Sequence, residues 1–134
     1  MTCHLSSTTR SRILALVCCF ASVGVAAQTQ PYSAEAMWGL KRLGDPAISP
    51  DGRVAVVPVT SYDIAANKAN TDLWLVPTKP GRARQLTSGD ASDTSPVWSP
   101  DGQLIAFVSK RNDDEQAQLY VIPVDGGEAR RITN

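Results

Sequence analysis

The chain is 134 residues long and carries 13 Lys and Arg against 13 Asp and Glu. That length allows one small domain. The even charge balance supplies neither the basic stripe that binds nucleic acid nor the polybasic segment that holds a protein to an anionic membrane.

Arg10 and Arg12 precede an apolar run from Ile13 to Val25, followed by Ala26, Ala27 and the polar Gln28. A positive start, a short apolar stretch and small residues at a cut are the three parts of a secretory signal peptide, here residues 1–27 with cleavage after Ala27. An uncleaved anchor is the alternative, but the run falls short of the roughly 20 apolar residues that span a bilayer. A lipidated cysteine would follow a small residue, whereas Val17 precedes Cys18. The expected destination is the periplasm or the exterior. Cleavage removes Cys3, Cys18, Cys19 and His4, which are all the cysteines and the only histidine. The mature chain would then hold no disulfide, no zinc site built on Cys or His, and no Ser-His-Asp or Cys-His arrangement of its own.

Residues 28–45 read as a short helical lead. From Ser33 to Gly44 the apolar Met37, Leu40 and Leu43 fall near one face, with Ser33 as N-cap and Gly44 as stop. About three turns of helix are marginal alone in water, so this segment is expected to dock on something else.

From residue 46 the sequence repeats itself. Pro46-Ala47-Ile48-Ser49-Pro50-Asp51-Gly52 returns as Pro96-Val97-Trp98-Ser99-Pro100-Asp101-Gly102, an offset of 50. Asp72-Leu73-Trp74-Leu75-Val76-Pro77 returns as Gln118-Leu119-Tyr120-Val121-Ile122-Pro123, and Arg84-Gln85-Leu86-Thr87 as Arg130-Arg131-Ile132-Thr133, both at 46. The difference falls between Thr60 and Asp72, where the first unit is expected to carry a longer loop. Each unit reads as four short strands. A brief apolar stretch ends at Ser-Pro-Asp-Gly, a β-turn in which Pro presets φ and Gly suits the last position. The second strands, Val54 to Thr60 and Leu104 to Ser109, are almost continuously apolar, which predicts burial on both faces. The third strands run Leu73 to Val76 and Leu119 to Ile122, each stopped by a Pro that cannot donate to a ladder. Lys79-Pro80-Gly81 and Asp125-Gly126-Gly127 turn the chain into a fourth strand ending at Leu86-Thr87 or Ile132-Thr133. Four antiparallel strands recurring every 40 to 50 residues or so are the signature of a β-propeller blade. The predicted fold is all-β: two four-stranded antiparallel blades, over about residues 46–95 and 96–134, of an incomplete propeller.

The blocks Trp98-Ser99-Pro100-Asp101-Gly102, Leu104-Ile105-Ala106-Phe107 and Leu119-Tyr120-Val121-Ile122, closed by Arg130-Arg131-Ile132-Thr133, resemble the TolB-like propeller repeat. That repeat occurs in TolB and in serine peptidases of the prolyl oligopeptidase family. The run from Ala36 to Gly52 is similar to the start of secreted acylaminoacyl-peptidase and dipeptidyl-peptidase members, where a short helix leads straight into the first blade. The resemblance covers Ser33 to Asn134. It implies a parent protein in which the propeller gates access to a C-terminal α/β-hydrolase domain carrying Ser, Asp and His. No Gly-x-Ser-x-Gly nucleophile elbow occurs in this sequence, so none of the family's catalytic motif is carried over. A fragmentary or truncated reading frame ending at Asn134 is the expectation.

No catalytic, cofactor-binding or metal residue is nominated, and no cofactor is expected. Asp113-Asp114-Glu115 lacks the alternating spacing of a calcium loop and reads as a solvated hairpin tip. Asp51 and Asp101 recur by unit, which points to turn chemistry. Trp74 aligns with Tyr120 and Trp98 with Ile48, so both read as blade packing, while Trp38 is the candidate docking anchor. Arg82, Arg84, Arg130 and Arg131 fall on outer strands, where charge discourages edge pairing. The expected function is the substrate-gating propeller portion of a secreted serine peptidase acting on peptides, without its catalytic domain and inactive alone. The alternative is a TolB-like periplasmic propeller that binds proteins. Expected partners are peptide substrates through the catalytic domain and protein partners, with no nucleic acid and no membrane after cleavage. Two blades leave apolar faces without neighbours, and repeat units need about three or more for stability, so self-association is expected.

Overall fold

A computed structural model describes residues 33–111 and 113–134. The predicted signal peptide and the first residues of the lead lie outside the described residues. The elements are a helix α1 (Ala34–Trp38) and strands β1 (Arg42–Leu43), β2 (Ala47–Ile48), β3 (Val54–Asp63), β4 (Lys68–Pro77), β5 (Arg84–Gln85), β6 (Asp93–Trp98), β7 (Leu104–Ser109), β8 (Gln118–Pro123) and β9 (Arg130–Arg131). They form two antiparallel sheets, β1-β3-β4-β5 with β2 also on β3, and β6-β7-β8-β9. The expected all-β pair of blades is therefore present.

The helix is shorter than the lead's periodicity predicts. Ser33 caps it by accepting the Ala36 N–H at 3.1 Å, and it closes at Gly39. Arg42 and Leu43 are strand, paired with Thr60 and Val59. Backbone pairing along the exposed edge of β3 outweighs a three-residue apolar pattern that has nothing to pack against. The first blade thus begins inside the lead: β1 and β2 together are its innermost strand. In the second blade β6 is the counterpart, and its register shifts between Thr94 and Val97. Both interruptions precede a proline, Pro46 or Pro96, which has no N–H to give the ladder.

The predicted longer loop after Thr60 is an extension of the β3–β4 hairpin. Its ladder runs continuously from Val54↔Pro77 to Asp63↔Lys68, and Thr60 and Thr71 hydroxyls meet across it at 2.8 Å. The tip turns at Asn67, whose φ of 48° lies in the left-handed region that Asn tolerates.

The Ser-Pro-Asp-Gly turns are near-identical. Ser49 Oγ donates to Asp51 Oδ1 at 2.6 Å and accepts the Val54 N–H at 3.0 Å; Ser99 does the same with Asp101 and Leu104 at 2.5 and 2.9 Å. Gly52 and Gly102 sit at φ 71° and 70°, where a side chain would be strained. At the outer side, Thr87 Oγ1 accepts the Leu73 N–H and Thr133 Oγ1 accepts the Leu119 N–H, both at 2.9 Å. The repeated Leu-Thr and Ile-Thr pairs hold the fourth strand to the third.

The core lies between the blades. Val56, Leu73, Leu75 and Leu86 of the first blade form one cluster with Ile105, Phe107, Tyr120 and Ile122 of the second. Burying each such side chain contributes about 1.5–3 kcal/mol. Trp98 spans the interface and donates its indole N–H to the Ala47 carbonyl at 2.9 Å. Burial on both faces holds for β3, where Ala55 to Pro58 are all buried, but β7 alternates. Ile105, Phe107 and Ser109 point into the interface, whereas Leu104, Ala106 and Val108 lie on the face turned away from the first blade.

Candidate functional site

One end of the blades gathers most of the chemistry. The β3–β4 hairpin, the helix, the start of β6 and the loop after β7 all meet there. Asp93, the first residue of β6, is fully buried, and Ser109 at the end of β7 is nearly so. Arg111 grips both Asp93 carboxylate oxygens, Nη2 to Oδ2 at 2.5 Å and Nε to Oδ1 at 3.2 Å, and Nε also donates to Ser109 Oγ at 3.2 Å. Its guanidinium lies 5.1 Å from the Phe107 ring centroid and 5.5 Å from that of Tyr120. Arginine suits this place because its flat, weakly hydrated fork can pair with a carboxylate and stack on rings together.

Beside this pair Asp114 accepts the Tyr120 hydroxyl at 2.7 Å, Arg131 Nη1 at 2.7 Å and the Arg111 backbone N–H at 3.2 Å. The Tyr120 hydroxyl bond, then the Arg131 contact, hold its carboxyl below the usual carboxylate range, and the same bond pushes the Tyr120 phenol up. Asp114 is thus buried and paired, in contrast to the solvated tip expected of Asp113-Asp114-Glu115; Asp113 and Glu115 are exposed. Its partners lie 6 and 17 residues away, beyond the reach of a local reading. The basic Arg131, which the sequence presents only as an edge charge, is set by the structure in register with Tyr120.

Across the interface, Asn70 donates to the Gly89 carbonyl at 2.7 Å, and Ser92 Oγ accepts the Thr71 N–H at 3.2 Å, so β4 holds the segment joining the blades. Burial, then the nearby Asp93 charge, raise the Asp72 carboxyl above its ordinary value, opposed in part by Arg111 and Lys41. Among the described residues, Asn70 Oδ1 and Asp72 Oδ1 are buried without a hydrogen-bond partner.

Trp38 packs edge-on against Tyr62 with ring centroids 5.2 Å apart, and the Arg42 guanidinium lies 5.6 Å and 4.9 Å from the two rings. The anchor's seat is therefore the extended hairpin of this chain, and Ile64, Asn67 and Ala69 continue the groove beside it. Trp74 sits half-buried on the far face of the first blade, with Lys41 Nζ 5.2 Å from its ring centroid. Asp51 and Asp101 serve their turns, and the Ser49 and Ser99 hydroxyls lower their carboxyls. Of the four outer arginines, Arg84 reaches the Val124 carbonyl at 2.5 Å and Arg131 holds Asp114, so these two join elements in addition to charging an edge.

This arrangement orients and braces. The Ser109 hydroxyl faces a guanidinium, which cannot take its proton, and both Asp93 oxygens are engaged by Arg111. What the end offers a ligand is a polar surface at a blade mouth and the adjoining aromatic groove.

A family profile described as the TolB beta propeller domain matches residues 36–134. The chain is 38% identical over 90 residues to the uncharacterized peptidase YuxL of Bacillus subtilis, a match spanning 67% of this chain and 14% of that protein. It is 36% identical over 77 residues to dipeptidyl-peptidase 5 of Porphyromonas gingivalis, spanning 58% of this chain and 11% of that one. The chain therefore corresponds to a small part of these relatives' length. Among solved structures, the acylaminoacyl peptidase of Pyrococcus horikoshii superposes with a TM-score of 0.54 at 21% identity, over 71% of this chain and 14% of the other. A putative TolB from Agrobacterium tumefaciens superposes with a TM-score of 0.51 at 24% identity, over 67% and 32%. These two likenesses speak for the fold. With the two blades and the profile in agreement over the described residues, the chain belongs to the TolB beta propeller domain family.

Proposed function

We propose that this chain is the substrate-gating propeller portion of a secreted serine peptidase that acts on peptides, the hydrolytic chemistry residing in a separate α/β-hydrolase domain. The observation that carries the reading is the short lead running directly into the first blade, β1 and β2 sharing one edge of β3, in a chain whose relatives bear peptidase names. Within that reading the blades exclude water and large substrates from the hydrolase centre. The Asp93–Arg111–Asp114 network keeps the blade mouth rigid, and the aromatic groove at Trp38 lies beside the opening. Export follows from the predicted signal peptide.

A second reading, a periplasmic propeller that binds proteins without chemistry, is favoured by the TolB description of the family and the likeness to a putative TolB. One experiment separates the two. Native extracts are treated with a fluorophosphonate probe, and the polypeptide carrying these blades is captured with an antibody to the β3–β4 hairpin. The peptidase reading expects a covalently labelled polypeptide in the extracytoplasmic fraction. An unlabelled polypeptide that brings down a stoichiometric envelope protein contradicts it and supports the second reading.

A further inference from the structure

The Asp93–Arg111 pair is not a requirement of the repeat. In the first blade the same register position, 50 residues earlier, pairs Leu43 with Val59, where the second blade pairs Asp93 with Ser109. An apolar pair closes that strand end without charge. Burying a carboxylate with a guanidinium instead carries a desolvation cost that their attraction does little more than offset. What the ion pair adds is orientation. Asp93 takes the Nε and Nη2 side of the guanidinium, and the Phe107 and Tyr120 rings stack on it. Nη1 has no hydrogen-bond partner among the described residues, and the Arg111 side chain remains 22% exposed.

Arg111 and Lys110 line a cleft of about 400 Å³ with Ser88, Gly89, Asp90 and Ala91 of the segment joining the blades. That volume falls in the range of small-ligand sites. Lys110 is exposed and makes no ion pair among the described residues. The cleft therefore combines a guanidinium fixed in place with a free ammonium at the neighbouring position, and both only donate. Their complement is an anionic oxygen pair. Charge decides its class. Asp93 matches Arg111, and Asp90 stands in the same cleft as Lys110, so no surplus of positive charge is present to hold a dianion such as phosphate. A carboxylate carries one charge on two coplanar oxygens and suits the open edge of a guanidinium. We propose that this cleft binds a carboxylate of a peptide, with Arg111 Nη1 and Lys110 Nζ donating to its oxygens. The carboxylate follows from the cleft alone; that a peptide carries it rests on the peptidase reading.

The test is an NMR titration of the isotope-labelled full chain, following the Arg111 Nε–H and the Lys110 amide. The probes are N-acetyl-trialanine, its C-terminal amide, N-acetyl-Ala-Glu-Ala amide and inorganic phosphate. A free carboxylate is expected to move both resonances to saturation, and the trialanine amide to bind about tenfold more weakly or worse. Arg111→Lys keeps the charge but loses the fork and should weaken binding about tenfold. Lys110→Gln, at an exposed position away from the core, should weaken it about threefold, and it decides the matter if Arg111→Lys does not fold. Binding of N-acetyl-trialanine identifies a chain terminus as the source, and binding of the Glu peptide an acidic side chain; either supports the site. No shift with either carboxylate, equal affinity for acid and amide, tighter binding of phosphate, or full affinity in the variants overturns it. A fluorophosphonate-labelled polypeptide whose blades ignore both carboxylates removes this site and leaves the peptidase reading standing. Carboxylate binding by an unlabelled polypeptide does the reverse.

Discussion

Leu86 and Ile132 occupy the same position in successive blades, yet Leu86 is 9% exposed and Ile132 49%. The two side chains are equally apolar and each precedes a threonine that accepts a hydrogen bond from the third strand. What differs is the neighbour: a second blade covers Leu86, and no described element covers Ile132. Position within a repeat specifies the strand, while position within the stack specifies burial.

The same contrast makes Leu73 and Leu119 a matched pair. Leu73→Ala should cost about 2–5 kcal/mol, because a fully buried leucine leaves a cavity as well as losing its transfer energy. Leu119→Ala, at a half-exposed position, should cost less than half of that in dilute monomer. Urea unfolding of both variants measures the difference.

Removing Arg111 should be more damaging than removing both partners of its ion pair. Arg111→Met leaves the buried Asp93 carboxylate uncompensated, at a cost of about 3–5 kcal/mol. Combining it with Asp93→Leu should recover most of the loss, since two apolar side chains need no partner. A double-mutant cycle read by chemical denaturation checks the coupling.

Two carboxyls should pull stability in opposite directions with pH. Asp72 is raised above 3.8 in the folded chain, so its protonated form is favoured there and its contribution fades as pH rises through the folded value. Asp72→Asn should therefore raise the melting temperature at pH 7 and leave it little changed below pH 3.8. Asp114 is lowered, so its stabilisation is complete above 3.8 and disappears as pH falls through the folded value. Asp114→Asn should lower the melting temperature at pH 7 and flatten the acid limb. Melting curves from pH 2 to 8 distinguish the two signs.

Trp98→Phe should weaken the interface by about 1–3 kcal/mol, because the Ala47 carbonyl loses its donor at a partly buried site. Thermal melting measures it, and Trp98→Leu should be worse through lost contact area.

The features legible in the sequence are those made by near neighbours. Ser49, Asp51 and Gly52 form a turn whose bonds span two to five residues, so its chemistry and its recurrence at Ser99 were readable directly. The blade strands followed from apolar runs between such turns. Three features escaped because distant residues decide them. Arg42 and Leu43 look helical until β3 offers an edge. Tyr62, Asp63 and Lys68 lack an apolar signal, and the hairpin extends through backbone pairing and the Thr60–Thr71 contact. Asp114 looks like part of an acidic tip until Tyr120 and Arg131 fold against it. The candidate site was less legible than the fold for the same reason, since Asp72, Asp93 and Arg111 meet only when the blades pack.

One core, shared between the blades, holds both together. Native-state hydrogen exchange of Phe107→Ala tests it most directly, because Phe107 belongs to the second blade while the Leu73 amide, bonded to Thr87, belongs to the first. A shared core predicts that protection at Leu73 and Val56 falls by the same factor as at Ile105 and Tyr120. Unchanged protection in the first blade, with loss confined to the second, would contradict it.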